Sequence, residues 1–334
     1  MKSKADLAKF FATFTEALEY WGKSAPQFAD ISPATVDKPL DELVKLSKLI
    51  KAHTTKVGIL YNPANLKSDD LNAQYTTSEQ LMRSTSMLVT VLAQLTSRNS
   101  VPEFFVNEVT YLASQLFQAV KFLVNECKSI VDDNLADEAQ LRLISVGKVW
   151  EICDELVALI LGGELALLAT KINQSLLIFD DGFEDFKEWA ENPHTVELDD
   201  MFDEFDSDDS GDDEAAPVPA MDEAKQDELR VYAKKWAKKL ELVRLLIASF
   251  KKSVPKATKA STVNEIYQLQ HHLGGAIDKF ISDLMLEGAI DDELKKHSDV
   301  VSADCYKLVN IAIGIHNEKK AKWYITWKVK YDEA

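Results

Sequence analysis

Chain-breaking residues are scarce in this sequence, and that scarcity constrains the fold more than any motif does. Only 11 glycines and 9 prolines interrupt 334 residues. Between them, apolar residues recur every three or four positions, the period of one helix face. Residues 4–20 place Leu7, Phe10, Phe11, Phe14, Ala17 and Leu18 on one stripe, and residues 40–50 repeat it with Leu43, Leu46 and Ile50. After a loop at Tyr61-Asn62-Pro63 come Leu81, Leu88, Leu92 and Leu95. Beyond Pro102 a longer stripe runs through Val109, Leu112, Leu116, Val120, Leu123 and Cys127. These spacings predict an all-α chain of up-and-down helical bundles built from long amphipathic helices. Further helices are expected near 135–160, 163–190, 222–252, 262–286 and 300–316, with Gly162-Gly163 read as a helix break or close-packing point.

Three Ser/Thr-x-x-Glu strings, Thr76 to Glu79, Ser100 to Glu103 and Thr262 to Glu265, read as capping boxes at helix starts. Near the C-terminus, Trp323, Ile325, Trp327, Val329 and Tyr331 alternate as a strand would. Trp323, Trp327 and Tyr331 equally form an i, i+4, i+8 helical stripe. A strand with nothing to pair with leaves its backbone unsatisfied, so helix is the reading here.

Charge is distributed unevenly. The net −17 divides into −8 over residues 1–190 (18 basic, 26 acidic), −15 over 191–228 (1 and 16) and +6 over 229–334 (19 and 13). The expected organisation is therefore an N-terminal bundle (1–190), an acidic disordered linker (191–228) and a C-terminal helical region (229–334) able to pack on the first. Within the linker, Leu198, Met201, Phe202 and Phe205 fall at i, i+3, i+4 and i+7, the spacing of a short helix able to dock on its own protein or a partner. Asp206, Asp208, Ser210 and Gly211 echo the start of a calcium loop, but the twelfth position is Pro217 instead of a bidentate Glu, so a solvated charge run is expected. Ser207 and Ser210 are candidate phosphorylation sites, Ser210 being followed by Asp212, Asp213 and Glu214.

Directly downstream, residues 230–259 hold ten basic side chains against the single acid Glu241. Arg230, Lys234, Lys235, Lys238 and Lys239 form a candidate basic face, which the acidic tract is long enough to reach as an electrostatic cover. Overall acidity argues against a nucleic-acid binder. Cys127, Cys153 and Cys305 form no disulfide framework or C-x-x-C pair and read as reduced core thiols. The most apolar window, residues 156–168, is too short for a membrane span. A soluble intracellular protein is the expectation.

No catalytic signature emerges. The one Glu-x-x-His string, at Glu191 and His194, contains Pro193. Asp180, Asp181, Glu184 and Asp185 read as an exposed negative face. His271 and His272 are adjacent, so they leave a helix in different directions and cannot share a metal. P-loop, dinucleotide and nucleophile-elbow patterns are missing. No cofactor or metal is expected.

The string Val146-Gly-Lys-Val149-Trp150-Glu-Ile-Cys153-Asp154-Glu-Leu156 is followed by an apolar helix ending Phe183-Glu-Asp-Phe186-Lys-Glu-Trp189, then the acidic tract and the basic amphipathic helix. This order resembles the cyclin-D-interacting protein (GCIP) family, especially its fungal members, over residues 140–250. The resemblance implies an all-helical, non-enzymatic regulatory adaptor of cytoplasm and nucleus. Its implied partners are cyclin-like or signalling-adaptor proteins, and a fungal member lacking D-type cyclins would have another target. Val149, Trp150, Cys153 and Asp154 are the family-motif residues, with Trp150 and Cys153 expected in the core. Two further readings stay open. One is a vinculin-like scaffold at cytoskeleton or membrane; the other is an acidic-tract chaperone for basic proteins.

Overall fold

The computed structural model describes residues 2–23, 28–66, 70–98, 100–133, 140–193 and 223–334. Nine α-helices and two 3-10 turns make up the regular structure among the described residues, with no strand. The helices are α1 (Lys4–Lys23), α2 (Pro39–Leu60), α3 (Asn72–Ser97), α4 (Glu103–Asp133), α5 (Leu141–Glu191), α6 (Glu223–Ser253), α7 (Ala260–Glu287), α8 (Asp292–Ile315) and α9 (Glu318–Glu333). Two compact units divide at Leu167 and Leu168. The division falls inside the span that composition groups as residues 1–190, so the second half of α5 is counted with the C-terminal unit.

In the N-terminal unit α2 pairs with α3 and α1 with α4. The seam is the stripe read from sequence: Leu7, Phe11, Phe14 and Leu18 face Val109, Leu116, Val120 and Leu123, all buried. Polar groups fix the loops onto this frame. Gln94, buried in α3, accepts from the Val36 N–H (3.0 Å) and donates to the Val36 carbonyl (2.7 Å), clamping the segment that leads into α2. Gly58 allows a close approach of α2 to α5, since a Cβ there would meet Val146 Cγ2 at 2.9 Å.

Helix starts depart from the sequence reading. Thr76 and Glu79 lie inside α3, which begins four residues earlier, and Thr262 lies inside α7. A cap residue needs extended backbone so that its side chain can turn back on the first amides. Lys259, extended at φ −63° and ψ 143°, takes that place at α7 and caps with no side chain. Helix α4 starts at Glu103, with the Pro102 carbonyl accepting from the Val106 N–H (3.1 Å). The reciprocal box sits instead at Ser3: its Oγ accepts from the Asp6 N–H (3.2 Å) and Asp6 Oδ2 accepts from the Ser3 N–H (2.8 Å). Asp291 and Asn317 cap α8 and α9 through Leu294 and Lys320.

Helix α5 is two rods joined at Gly163, whose φ of +77° and ψ of 175° belong to glycine's own region of backbone space. The expected break therefore exists and falls on the second glycine of the pair. In the C-terminal unit α8 packs on α7 and α9, and α6 on α9 and α8. Leu240, Val243, Leu246, Ile247 and Phe250 of α6 are all buried. The 323–331 segment is helical. Tyr324, Trp327 and Tyr331 face inward, and Trp327 Nε1 donates to the Leu242 carbonyl at 2.7 Å. Trp323, placed on that stripe by its i, i+4 spacing, is exposed instead, because Tyr324 fills the i−3 position beneath Trp327.

Candidate protein-interaction surfaces

The family-motif string lies on the first rod of α5, and its residues divide between core and solvent. Val149 and Cys153 are buried, four apart on the face toward the N-terminal core. Burial, with the Asp154 charge adding to it, pushes the Cys153 thiol up to about 12. Burial raises Cys305 in the same direction, and Cys127 is also buried.

Trp150 departs from the core expectation: it is 37% exposed. One residue past Val149, it turns about 100° away from the buried face, as a 3.6-residue period dictates. Lys51 of α2 supports it from one side, its Nζ 5.9 Å from the ring centroid. The same ammonium donates to both carboxylate oxygens of Asp154, at 2.7 and 2.6 Å. Asp154 is thus the partner that holds Lys51 against the indole.

Beside Trp150 a cleft of about 270 Å³ opens between α2 and the first rod of α5. Ile59 and Leu143 line it, 61% and 46% exposed, with Gly58 and Val146 at the close approach below. Asn62, which caps the 3-10 turn Pro63–Asn65, and Asn65 within that turn add amide groups at one edge. An indole, two aliphatic side chains and a paired lysine present an apolar centre with a polar rim, the composition of a small protein-docking surface. Periodicity separates Trp150 from its neighbour Val149 by about 100°, but Cys153, at i+3, lies only about 60° from Trp150, so spacing alone does not set the indole outside the core.

The basic helix is less bare than its composition suggests. Lys234 pairs with Glu191 (2.7 Å), and Arg230 donates to Asp227 (3.2 Å). Lys239 lies over the Tyr331 ring at 4.4 Å, and burial, with Lys235 nearby, lowers its pKa. Lys235 and Lys238 are exposed. Arg244 donates in bidentate fashion to Asp180 (2.5 and 2.7 Å), and that hydrogen bonding holds the Asp180 carboxyl below its ordinary range. Part of the negative face read at Asp180 to Asp185 is therefore a counter-charge for α6.

A larger groove, about 860 Å³, lies within the C-terminal unit between the second rod of α5 and α7, with His297 and Val300 of α8 at its side. His271 and His272 both line it. His271 stacks on Tyr267, with centroids 6.2 Å apart and planes within 3°, while His272 Nδ1 is hydrogen-bonded to Asp304. His297 Nδ1 lies 2.8 Å from Asp283 at an angle that makes no hydrogen bond. Among the described residues no three His, Cys, Asp or Glu side chains converge to hold a metal. No described helix is long and apolar enough to cross a membrane. Leu198, Met201, Phe202, Phe205, Ser207 and Ser210, and the acidic tract that carries them, lie outside the described residues.

These features define an all-helical protein with apolar clefts on its helix faces. Residues 42–192 match the family model described as "Grap2 and cyclin-D-interacting, N-terminal", a span that contains the Trp150 surface. The chain is also 25% identical over 308 residues to the uncharacterized protein YLR287C of Saccharomyces cerevisiae, covering 88% of this chain and 86% of that one.

Proposed function

We propose that this protein is a non-enzymatic regulatory adaptor of cytoplasm and nucleus that binds partner proteins through helix faces. The Trp150–Ile59–Leu143 surface is its primary docking site. The observation that carries the reading is the exposure of Trp150 inside the segment that matches a cyclin-D-interacting family. An exposed indole propped by a paired lysine costs solubility unless something covers it, and buried aromatic anchors supply most of the affinity in protein interfaces. The partner is a cyclin-like or signalling-adaptor protein presenting a complementary apolar ridge.

Affinity purification of the full chain from cytoplasmic and nuclear fractions, with the bound proteins quantified, tests the class. The adaptor reading expects at least one protein at near-stoichiometric ratio whose capture survives deletion of residues 195–220. Capture that disappears with that deletion would favour an acidic-tract chaperone, and co-sedimentation with actin filaments or anionic vesicles a scaffold.

A further inference from the structure

The groove of the C-terminal unit carries an unusual set of walls. Gly182 on α5 and Gly274 and Gly275 on α7 all line it, and a Cβ at any of the three would meet no heavy atom within 4 Å. A glycine inside a helix costs about 1 kcal/mol relative to alanine. The described packing does not require this cost, for no neighbour approaches these positions. Ile178, on the same wall, is 75% exposed and Val300 opposite is also exposed. The walls are thus shaped for an apolar occupant that lies flat against them.

Chain geometry supplies one. Gln226 Nε2 donates to the Pro193 carbonyl at 3.0 Å, so residues 194–222 leave and rejoin the C-terminal unit at one place. From Asn192 back along α5, Gly182 is ten residues away, about 15 Å at 1.5 Å per residue, and Ser175 about 10 Å further. Leu198 comes five residues after Pro193, a reach of about 17 Å when extended. Leu198, Met201, Phe202 and Phe205 then cover about 10 Å at helical rise. That is the distance from Gly182 to Ser175. The residues left before Glu223 can span about 55 Å, more than the return requires. Among the lining residues Lys279 and Asp278 carry opposite charges, so the match between groove and stripe is apolar, not ionic.

We propose that the groove is the docking site of the chain's own Leu198–Met201–Phe202–Phe205 stripe. The tether makes this docking intramolecular, with an effective concentration in the millimolar range. A free peptide therefore competes poorly with the native chain.

The test is fluorescence anisotropy of a labelled synthetic peptide covering residues 195–208, titrated with three full-length proteins. These are the native chain, a variant with all four stripe residues changed to Ser, and that variant with Gly275→Leu added. A version with Gly182→Met in place of Gly275→Leu guards against a folding defect at either site, monitored by circular dichroism. The expected result is peptide binding at least tenfold tighter to the four-site variant than to the native chain, and loss of that gain in both groove-filled versions. Equal binding to native and four-site proteins, no binding to either, or binding untouched by the filled groove would overturn the proposal. So would dimerisation of the four-site variant that Gly275→Leu abolishes, since a second copy would then be the occupant. Partner capture through Trp150 is a separate measurement, and either reading can fail without the other.

Discussion

Gly58 and Val146 show how little space separates a viable packing from a clash. An added methyl at Gly58 would sit 2.9 Å from a valine branch that has few rotamers with which to yield. Gly58→Ala should therefore lower stability by about 1–3 kcal/mol through overpacking, despite alanine's better helix propensity. In thermal melts, Gly58→Ala with Val146→Ala should be less destabilised than the sum of the two single variants, because the clash and the cavity cancel. Strict additivity would mean that the two residues do not share the space. Cys153 gives a second residue-scale expectation. Its thiol is raised from 9.0 to about 12 in the fold, so the unfolded chain loses this proton first as pH rises. Stability from the buried neutral thiol is complete below pH 9 and declines as pH climbs from there toward 12. Cys153→Ser or Cys153→Ala should flatten that alkaline decline in denaturant titrations, and at pH 7 all three thiols of the folded chain should resist a thiol reagent. Rapid labelling at neutral pH would contradict their burial.

At the scale of elements, helix number and position were written in apolar spacing. The stripe on α1 and the seam of α4 occupy the predicted positions, and α6 spans the predicted helix. Exact starts were less legible. A Ser/Thr-x-x-Glu string caps only where the backbone before it is extended, and Thr76 and Thr262 instead continue helices already begun. Ser3 and Asp6, a box with Asp in place of Glu, form the working cap. The pair Gly162-Gly163 announced a break, but the sequence could not say which glycine bends. With φ at +77°, Gly163 is the hinge, and Gly163→Ala should cost about 1–3 kcal/mol of backbone strain with no steric clash. Gly162→Ala should leave the melting temperature unchanged or raise it, and the reverse ranking would place the bend elsewhere.

For the whole molecule, composition separated a balanced chain from a strongly acidic tract, yet two cations of the basic helix that follows it, Lys234 and Arg244, are answered by acids of α5. Asp180 and Glu191 supply that answer, and a reading by segment net charge could not see pairings across 64 and 43 residues. Trp150 taught the converse, since a hydrophobic motif residue need not be a core residue. The proposed adaptor function depends on Trp150 as the anchor for a partner protein. The decisive measurement is the affinity of that partner, once purified, for the full chain carrying Trp150→Ala, beside Trp323→Ala as a control of similar exposure (43% against 37%). A loss of about thirtyfold or more at Trp150, the size of an interface hot spot, with unchanged thermal stability and no loss at Trp323, is the predicted result. Undiminished affinity in the Trp150 variant would contradict its role as the anchor.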